Sequence, residues 1–272
     1  MNQKSNPLSA CEPWDLVAEG YAETTMQILA QYAEEAVAAC KLQSGATILD
    51  VACGPGTLAL IVAREAGHVH GIDFSETMLD IFQKNAARAG YTNVSIQHCD
   101  AQTLPYHDEM FDAAFSMFGL MFFPERSKGF AEIHRTLKPG GSIAVTSWAP
   151  VDQSPAMQIM FGALRAIKPD LPEPQRSITS LENPELFNQE LLNAGFKNVE
   201  IRCVTKAFPV ASISEFWEGM VKGSAPIQML KKSMGENAWR DKEILAINYL
   251  EEKIPSLPTA LTSDAWLGMG IK

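Results

Sequence analysis

No apolar run in these 272 residues approaches the roughly 18 needed to cross a bilayer, so a membrane-spanning helix is not expected. The opening segment, MNQKSNPLSACEPWD, lacks the apolar centre of a secretion signal, and a cytoplasmic location is expected. Basic blocks are also missing. Lys231-Lys232 is the densest pair in a chain of net charge −10, which argues against nucleic acid or an anionic membrane as partner. The five cysteines, at 11, 40, 53, 99 and 203, include no CxxC pair. They suit neither a disulfide framework nor a zinc site, and no metal is expected. Repeats of 20–50 residues and low-complexity tracts are absent. What remains is an ordinary globular composition, 46% apolar and 20% charged, which excludes a disordered chain. A chain of this length buries roughly 70–75% of its unfolded surface, enough for one large domain or a domain with a subdomain.

From Trp14 to Cys40 there is no proline, and Ala, Glu, Gln and Leu dominate, so one or two helices are predicted there. Beyond Gly45, short apolar runs alternate with amphipathic stretches. The pattern predicts strands at 47–52, 69–72, 94–98, 113–118 and 142–148, with helices at 57–66, 75–89 and 126–137. That alternation implies right-handed crossovers and a mostly parallel sheet covered on both faces, an α/β fold. Runs such as ILDVA and SIAVTSW fit strands buried on both sides. After Trp148 the rhythm changes: helices are predicted around 157–167, 185–194 and in three segments over 212–253, with strands at 199–204 and 262–271.

The stretch ILDVACGPGTLAL, residues 48–60, carries the most chemistry. Asp50 lies near the end of a predicted strand; a glycine-rich turn and a helix follow. Gly54 and Gly56 permit positive φ and close approach of a ligand to the backbone. In open parallel sheets ligands bind beyond the carboxyl ends of the strands, where this turn lies. The spacing Gly54-x-Gly56-x-x-Ala59, with Asp73 downstream, also matches a dinucleotide fingerprint, and a carboxylate there accepts both ribose hydroxyls of an adenosine. The motif alone leaves NAD and other nucleosides open. Asp50 sits where a pyrophosphate would be repelled and a cation welcomed. Asp100, in CDAQTLP after the third strand, offers a carboxylate to an adenine amine.

Together with FDAAFSMFGLMFFP and LKPGGSIAVTSW, these features resemble the class I S-adenosylmethionine-dependent methyltransferases. The likeness is closest to their small-molecule branch, which includes the ubiquinone/menaquinone biosynthesis methyltransferases, and is strong over residues 45–150. The resemblance implies a Rossmann-like, seven-stranded, mostly parallel sheet with an antiparallel last strand, helices on both faces and helical cap insertions. It implies S-adenosylmethionine as cofactor, S-adenosylhomocysteine as product and a small, partly apolar methyl acceptor. The backbone at Ala52, Gly54 and Gly56 would line the methionine part, with Asp50 shaping that pocket. Asp73 would hold the ribose, Phe74 and Met78 would pack on the adenine, and Asp100, Ala101 and Gln102 would meet its amine edge. Ser116 and Met117 would border the methionine carboxylate and the reacting methyl. Trp14, Tyr21 and Phe118 are candidates for substrate contact. The implied organisation is an N-terminal lid (1–44), a cofactor-binding core (45–150), an insertion (151–181), a continuation of the core (182–206), a helical cap (207–255) and the final strand (256–272).

Plainer readings stand beside these. Trp14, Tyr21 and the run 117–123 can equally be core packing, and no histidine has a setting that marks a metal ligand. No residue's context identifies a general base. Two rival functions remain: an NAD-dependent oxidoreductase, and a non-catalytic cofactor-binding protein that uses its helical cap for a partner.

Overall fold

The computed structural model describes residues 6–176 and 178–272. Seven strands form one sheet: β1 (Thr47–Val51), β2 (His68–Asp73), β3 (Val94–His98), β4 (Phe111–Met117), β5 (Leu137–Trp148), β6 (Lys197–Val210) and β7 (Thr259–Ile271). Their order is β3-β2-β1-β4-β5-β7-β6. β1 to β5 are parallel, and β7 runs antiparallel to both β5 and β6, as the expected fold class requires. The chain steps outward from β1 through β2 to β3, then returns to lay β4 on the other side of β1. That reversal opens a crevice between the carboxyl ends of β1 and β4, where such sheets bind ligands.

Among the described residues, ten α-helices accompany the sheet: α1 (Glu12–Gly20), α2 (Met26–Cys40), α3 (Thr57–Val62), α4 (Glu76–Ala89), α5 (Arg126–Thr136), α6 (Pro155–Ile167), α7 (Pro184–Asn193), α8 (Ile213–Gly223), α9 (Ala225–Met234) and α10 (Glu236–Lys253). α1 runs into α2 through a single π-helical turn, Tyr21–Thr25. The sheet faces bury separate cores. Ile48, Phe115, Ala144 and Ala265 point to the face under α2 and α3; Leu49, Ala114, Ile143 and Val145 point to the other, with Phe130 of α5 and Phe187 of α7. The period-2 alternation of side chains along each strand makes that division. α6, α8, α9 and α10 enclose a third core of their own around Leu164, Trp217, Trp239 and Leu250. The Trp217 and Trp239 rings stack there at 6.1 Å.

Three strands outrun their predicted lengths by three residues or more. β5 starts at Leu137, not 142, because Leu137 pairs with Phe111 across a bulge that ends at Ala113. The Pro139-Gly140-Gly141 segment, which reads as a turn, therefore lies inside a strand, with Gly140 at φ 80° absorbing the distortion. β6 and β7 form a long ribbon. β5 leaves β7 at Trp148↔Ala265, but β6 and β7 stay paired from Thr205↔Asp264 to Val210↔Thr259. The ribbon thus overhangs the carboxyl edge of the sheet. Pro209 is tolerated because β6 is an edge strand. No helix among the described residues is long and apolar enough to cross a membrane.

Candidate active site

The turn after β1 is built from three consecutive constraints. Ala52, Gly54 and Gly56 all take positive φ, at 55°, 52° and 90°. A Cβ on Gly56 would run into the Phe82 ring of α4, so glycine is required there for space as well as φ. A Cβ on Gly54 would meet only Met78 Sδ, at 4.0 Å. The face of the turn at Gly54 is thus open to a ligand, while the face at Gly56 is packed.

Two buried aspartates hold this turn. Asp73 ends β2 and is 7% exposed. Its Oδ2 accepts from the Gly54 N–H at 2.8 Å and its Oδ1 from the Ser75 N–H at 2.9 Å. Burial raises its proton affinity, bringing the carboxyl to about 6 despite those backbone donors. Asp50, on β1 and 1% exposed, accepts the Ala59 N–H of the first turn of α3 at 3.1 Å, so it satisfies one of that helix's orphan donors from outside. Burial lifts it to about 8, and the charge of Asp73 adds to the rise. Among the described residues no cationic side chain pairs with either carboxyl, and burial is the main cause of both shifts. The site is therefore electrostatically incomplete in a way that a cation corrects.

The N-terminal segment lies across this edge. Ser75 caps α4 through the Met78 N–H and donates its own hydroxyl to Asp15 at 2.6 Å. Cys11 Sγ donates to the Phe74 carbonyl at 3.2 Å, and Ser9 Oγ to the Phe122 carbonyl at 2.6 Å. Trp14 packs on Phe122 with ring centroids 5.1 Å apart, and edge-on to Tyr21 at 6.5 Å. Met78 is buried against Val17 and Ala18 of α1 and Ala225 of α9. Tyr21 makes contact with both this cluster and the core under α2, and its hydroxyl lies within reach of the charge on Asp73.

The structure brings Ala52, Gly54, Gly56, Asp73, Phe74 and Met78 to one edge, with Trp14 and Tyr21 above them. Asp100 is exposed, one residue past Cys99, whose N–H donates to the Asp73 carbonyl at 3.1 Å; Gln102 donates to Asp100 from its backbone at 2.9 Å and from Nε2 at 3.0 Å. Ala101 is buried in the core beneath. Ser116 is fully buried and accepts the Leu120 N–H at 3.3 Å, while Met117 is half-buried beside Thr146. Phe118 follows with φ 59°. Its N–H donates to Thr146 Oγ1 at 3.0 Å, and its ring lies 4.2 Å from that of Trp148. Ala52 and Phe118 are thus two non-glycine residues in left-handed conformation at the ends of adjacent strands, a placement characteristic of ligand sites. Sequence reading missed Asp15, Thr146 and Trp148. Asp15 contacts a residue 60 positions away, and nothing local marks it. Ser75 does carry a signal, the N-cap position before ETML.

A family model described as a methyltransferase domain matches residues 48–141. The chain is similar to the demethylmenaquinone methyltransferase of Listeria monocytogenes serotype 4a, 36% identical over 117 residues, or 42% of this chain and 49% of that protein. It thus spans about half the length of these curated relatives. A longer match, to the demethylmenaquinone methyltransferase of Shouchella clausii, is 33% identical over 178 residues, covering 60% of this chain and 76% of that one. Among solved structures, Haemonchus contortus phosphoethanolamine N-methyltransferase 2 in complex with S-adenosyl-L-methionine shares the fold, with a TM-score of 0.54 at 19% identity, over 89% of this chain and 52% of that one.

Proposed function

We propose, from the premise that this chain belongs to the class I S-adenosylmethionine-dependent methyltransferases, that it transfers a methyl group from S-adenosylmethionine to a small, partly apolar acceptor. The observation that carries this reading is the pair of buried carboxylates, Asp50 and Asp73, with no cationic side chain paired to them among the described residues, beside a backbone left open at Gly54. A sulfonium ligand with an ammonium group suits that field; the pyrophosphate of NAD does not.

The residues present fit the cofactor. Asp73 would take the ribose hydroxyls through lone pairs its backbone donors leave free, and the backbone at Ala52, Gly54 and Gly56 would line the methionine part. Met78 and Phe74 would pack on the adenine, with Asp100 at its amine. Bound S-adenosylmethionine supplies an electrophilic methyl on a positively charged sulfur. This chain's own contribution is to hold an acceptor in line with that methyl and to keep water away. Such positioning supplies roughly 7–11 kcal/mol in favourable cases. The segment from Ser9 to Thr25, strapped to Phe74, Ser75 and Phe122, would cover the site.

Incubation with S-adenosylmethionine and a panel of small acceptors tests the reading by the appearance of S-adenosylhomocysteine. The first acceptor follows from the relatives: demethylmenaquinone, supplied reduced so that its ring is nucleophilic. Acceptor-dependent product is expected. Tight cofactor binding with no product across the panel would favour a non-catalytic binding protein instead.

A further inference from the structure

Two hydroxyls hold the reversal that ends β4. Ser116 Oγ accepts the Leu120 N–H at 3.3 Å, and Thr146 Oγ1, on β5, accepts the Phe118 N–H at 3.0 Å. Both side chains are buried. Met117↔Thr146 is the last pairing of β4 with β5, so the backbone ladder stops there and a side chain takes the next amide. The Thr146 hydroxyl donates in turn to Met117 Sδ at 4.0 Å, which leaves its oxygen to accept.

What the Thr146 bond holds is a costly conformation. Phe118 stands at φ 59°, where a β-carbon crowds the backbone. The reversal it makes brings Gly119 against the turn after β1. A Cβ on Gly119 would run into the Ala52 Cβ and come within 3.2 Å of Ser116 Oγ. Ala52 is itself left-handed, at φ 55°, and opens the turn that carries Gly54. A line of contacts thus runs from Thr146 through Phe118 and Gly119 to Ala52. The ladder between β1 and β4 ends at Asp50↔Phe115, so beyond that pair these contacts set the spacing of the two reversals.

We propose that Thr146 is a positioning residue for the donor site. Through the Phe118 N–H it fixes the β4 reversal against Ala52, and so sets the crevice that receives the methionine end of S-adenosylmethionine. The inference rests on the methyltransferase reading and adds to it a residue, 1% exposed, that acts through another. Valine in its place fills a similar volume but leaves the Phe118 amide without an acceptor. Nothing then offsets the left-handed conformation, and the reversal relaxes away from Ala52. The adenosine end, held from Asp73 on β2, is not on that line of contacts. A small shift at such a wall costs binding or rate out of proportion to its size.

Calorimetric titration of the full chain with two probes tests this. One is S-adenosylhomocysteine; the other is 5′-methylthioadenosine, which keeps the adenosine and the sulfur but lacks the amino-acid end. Wild type should bind S-adenosylhomocysteine the more tightly. Thr146→Val should weaken S-adenosylhomocysteine about fivefold or more, the worth of a buried hydrogen bond, and leave methylthioadenosine affinity unchanged. Thr146→Ser, which keeps the hydroxyl, should match wild type with both probes. A merely structural role would weaken the two probes alike. Thermal melting checks that each variant is folded. Amide exchange needs no variant: in ligand-free wild type the Phe118 N–H should exchange slowly. Four results would each overturn the proposal: no preference between the probes in wild type, equal losses of both or undiminished S-adenosylhomocysteine affinity in folded Thr146→Val, the same loss in Thr146→Ser, or a fast Phe118 amide. If wild type binds neither probe, the methyltransferase reading itself fails.

Discussion

The hydroxyl of Ser75 does two things at once: it accepts the Met78 N–H as the cap of α4 and donates to Asp15 of α1 at 2.6 Å. The N-terminal helix is thereby tied to the turn that carries Asp73. Substituting Asp15→Ala cuts the tie and leaves the cap. The expected outcome is faster amide exchange over residues 8–25 and faster release of S-adenosylhomocysteine, with little change in melting temperature, since the contact is at the protein surface on the Asp15 side. Ser75→Ala removes both bonds and should cost about 1 kcal/mol more stability through the lost cap. Unchanged exchange in Asp15→Ala would separate α1 from any covering role.

Gly54 and Gly56 are two residues apart and should respond differently to alanine. Both have positive φ, which costs a β-carbon roughly 1–2 kcal/mol. At Gly56 the new methyl also meets the Phe82 ring, so Gly56→Ala should lose roughly 2–4 kcal/mol of stability in all. At Gly54 there is space, and Gly54→Ala should stay folded while S-adenosylhomocysteine affinity falls more than tenfold, because the methyl occupies the ligand's side of the turn. Denaturant melts beside calorimetry read the two effects. Equal stability losses with equal affinity losses would contradict the division of the turn into an open and a packed face.

Most of the sheet was legible because buried parallel strands and amphipathic helices alternate from Thr47 to Trp148 with few interruptions. The glycine turn and Asp73 were legible because backbone geometry demands glycine and leaves a local mark. The start of β5 was not, since Pro139-Gly140-Gly141 has turn composition and only the bulge opposite Phe111 keeps it in the ladder. Nor was the overhang: β6 was expected to stop at 204, but Lys206, Phe208 and Val210 continue its alternation past Pro209. Asp15 gave no signal at all, since it acts through a partner far away in sequence.

The two buried carboxyls give a pH signature. Burial raises Asp50 to about 8 and Asp73 to about 6, so the folded protein holds these protons more tightly than the unfolded chain, whose carboxyls titrate near 4. Their contribution to stability is full below about pH 4 and is lost as pH rises through the folded values. His70 and His134, whose proton affinities are lowered by burial, act in the opposite sense, so the comparison must be between variants. Asp50→Asn keeps an acceptor for the Ala59 N–H and removes the titration. Relative to wild type, its ligand-free melting temperature should gain steadily between about pH 5 and pH 8. A constant difference across that range would mean that Asp50 ionises without penalty.

The most direct test of the account is a calorimetric titration of the purified protein with S-adenosylhomocysteine, with NADH in parallel and the Asp73→Ala variant beside wild type. Saturable binding of S-adenosylhomocysteine alone is predicted. It should weaken at least tenfold in the folded variant, since charge-assisted hydrogen bonds of about 1.5–3 kcal/mol are lost. Binding of NADH alone, or unchanged S-adenosylhomocysteine affinity in a folded Asp73→Ala protein, would contradict the assignment of this edge as a methyl-donor site.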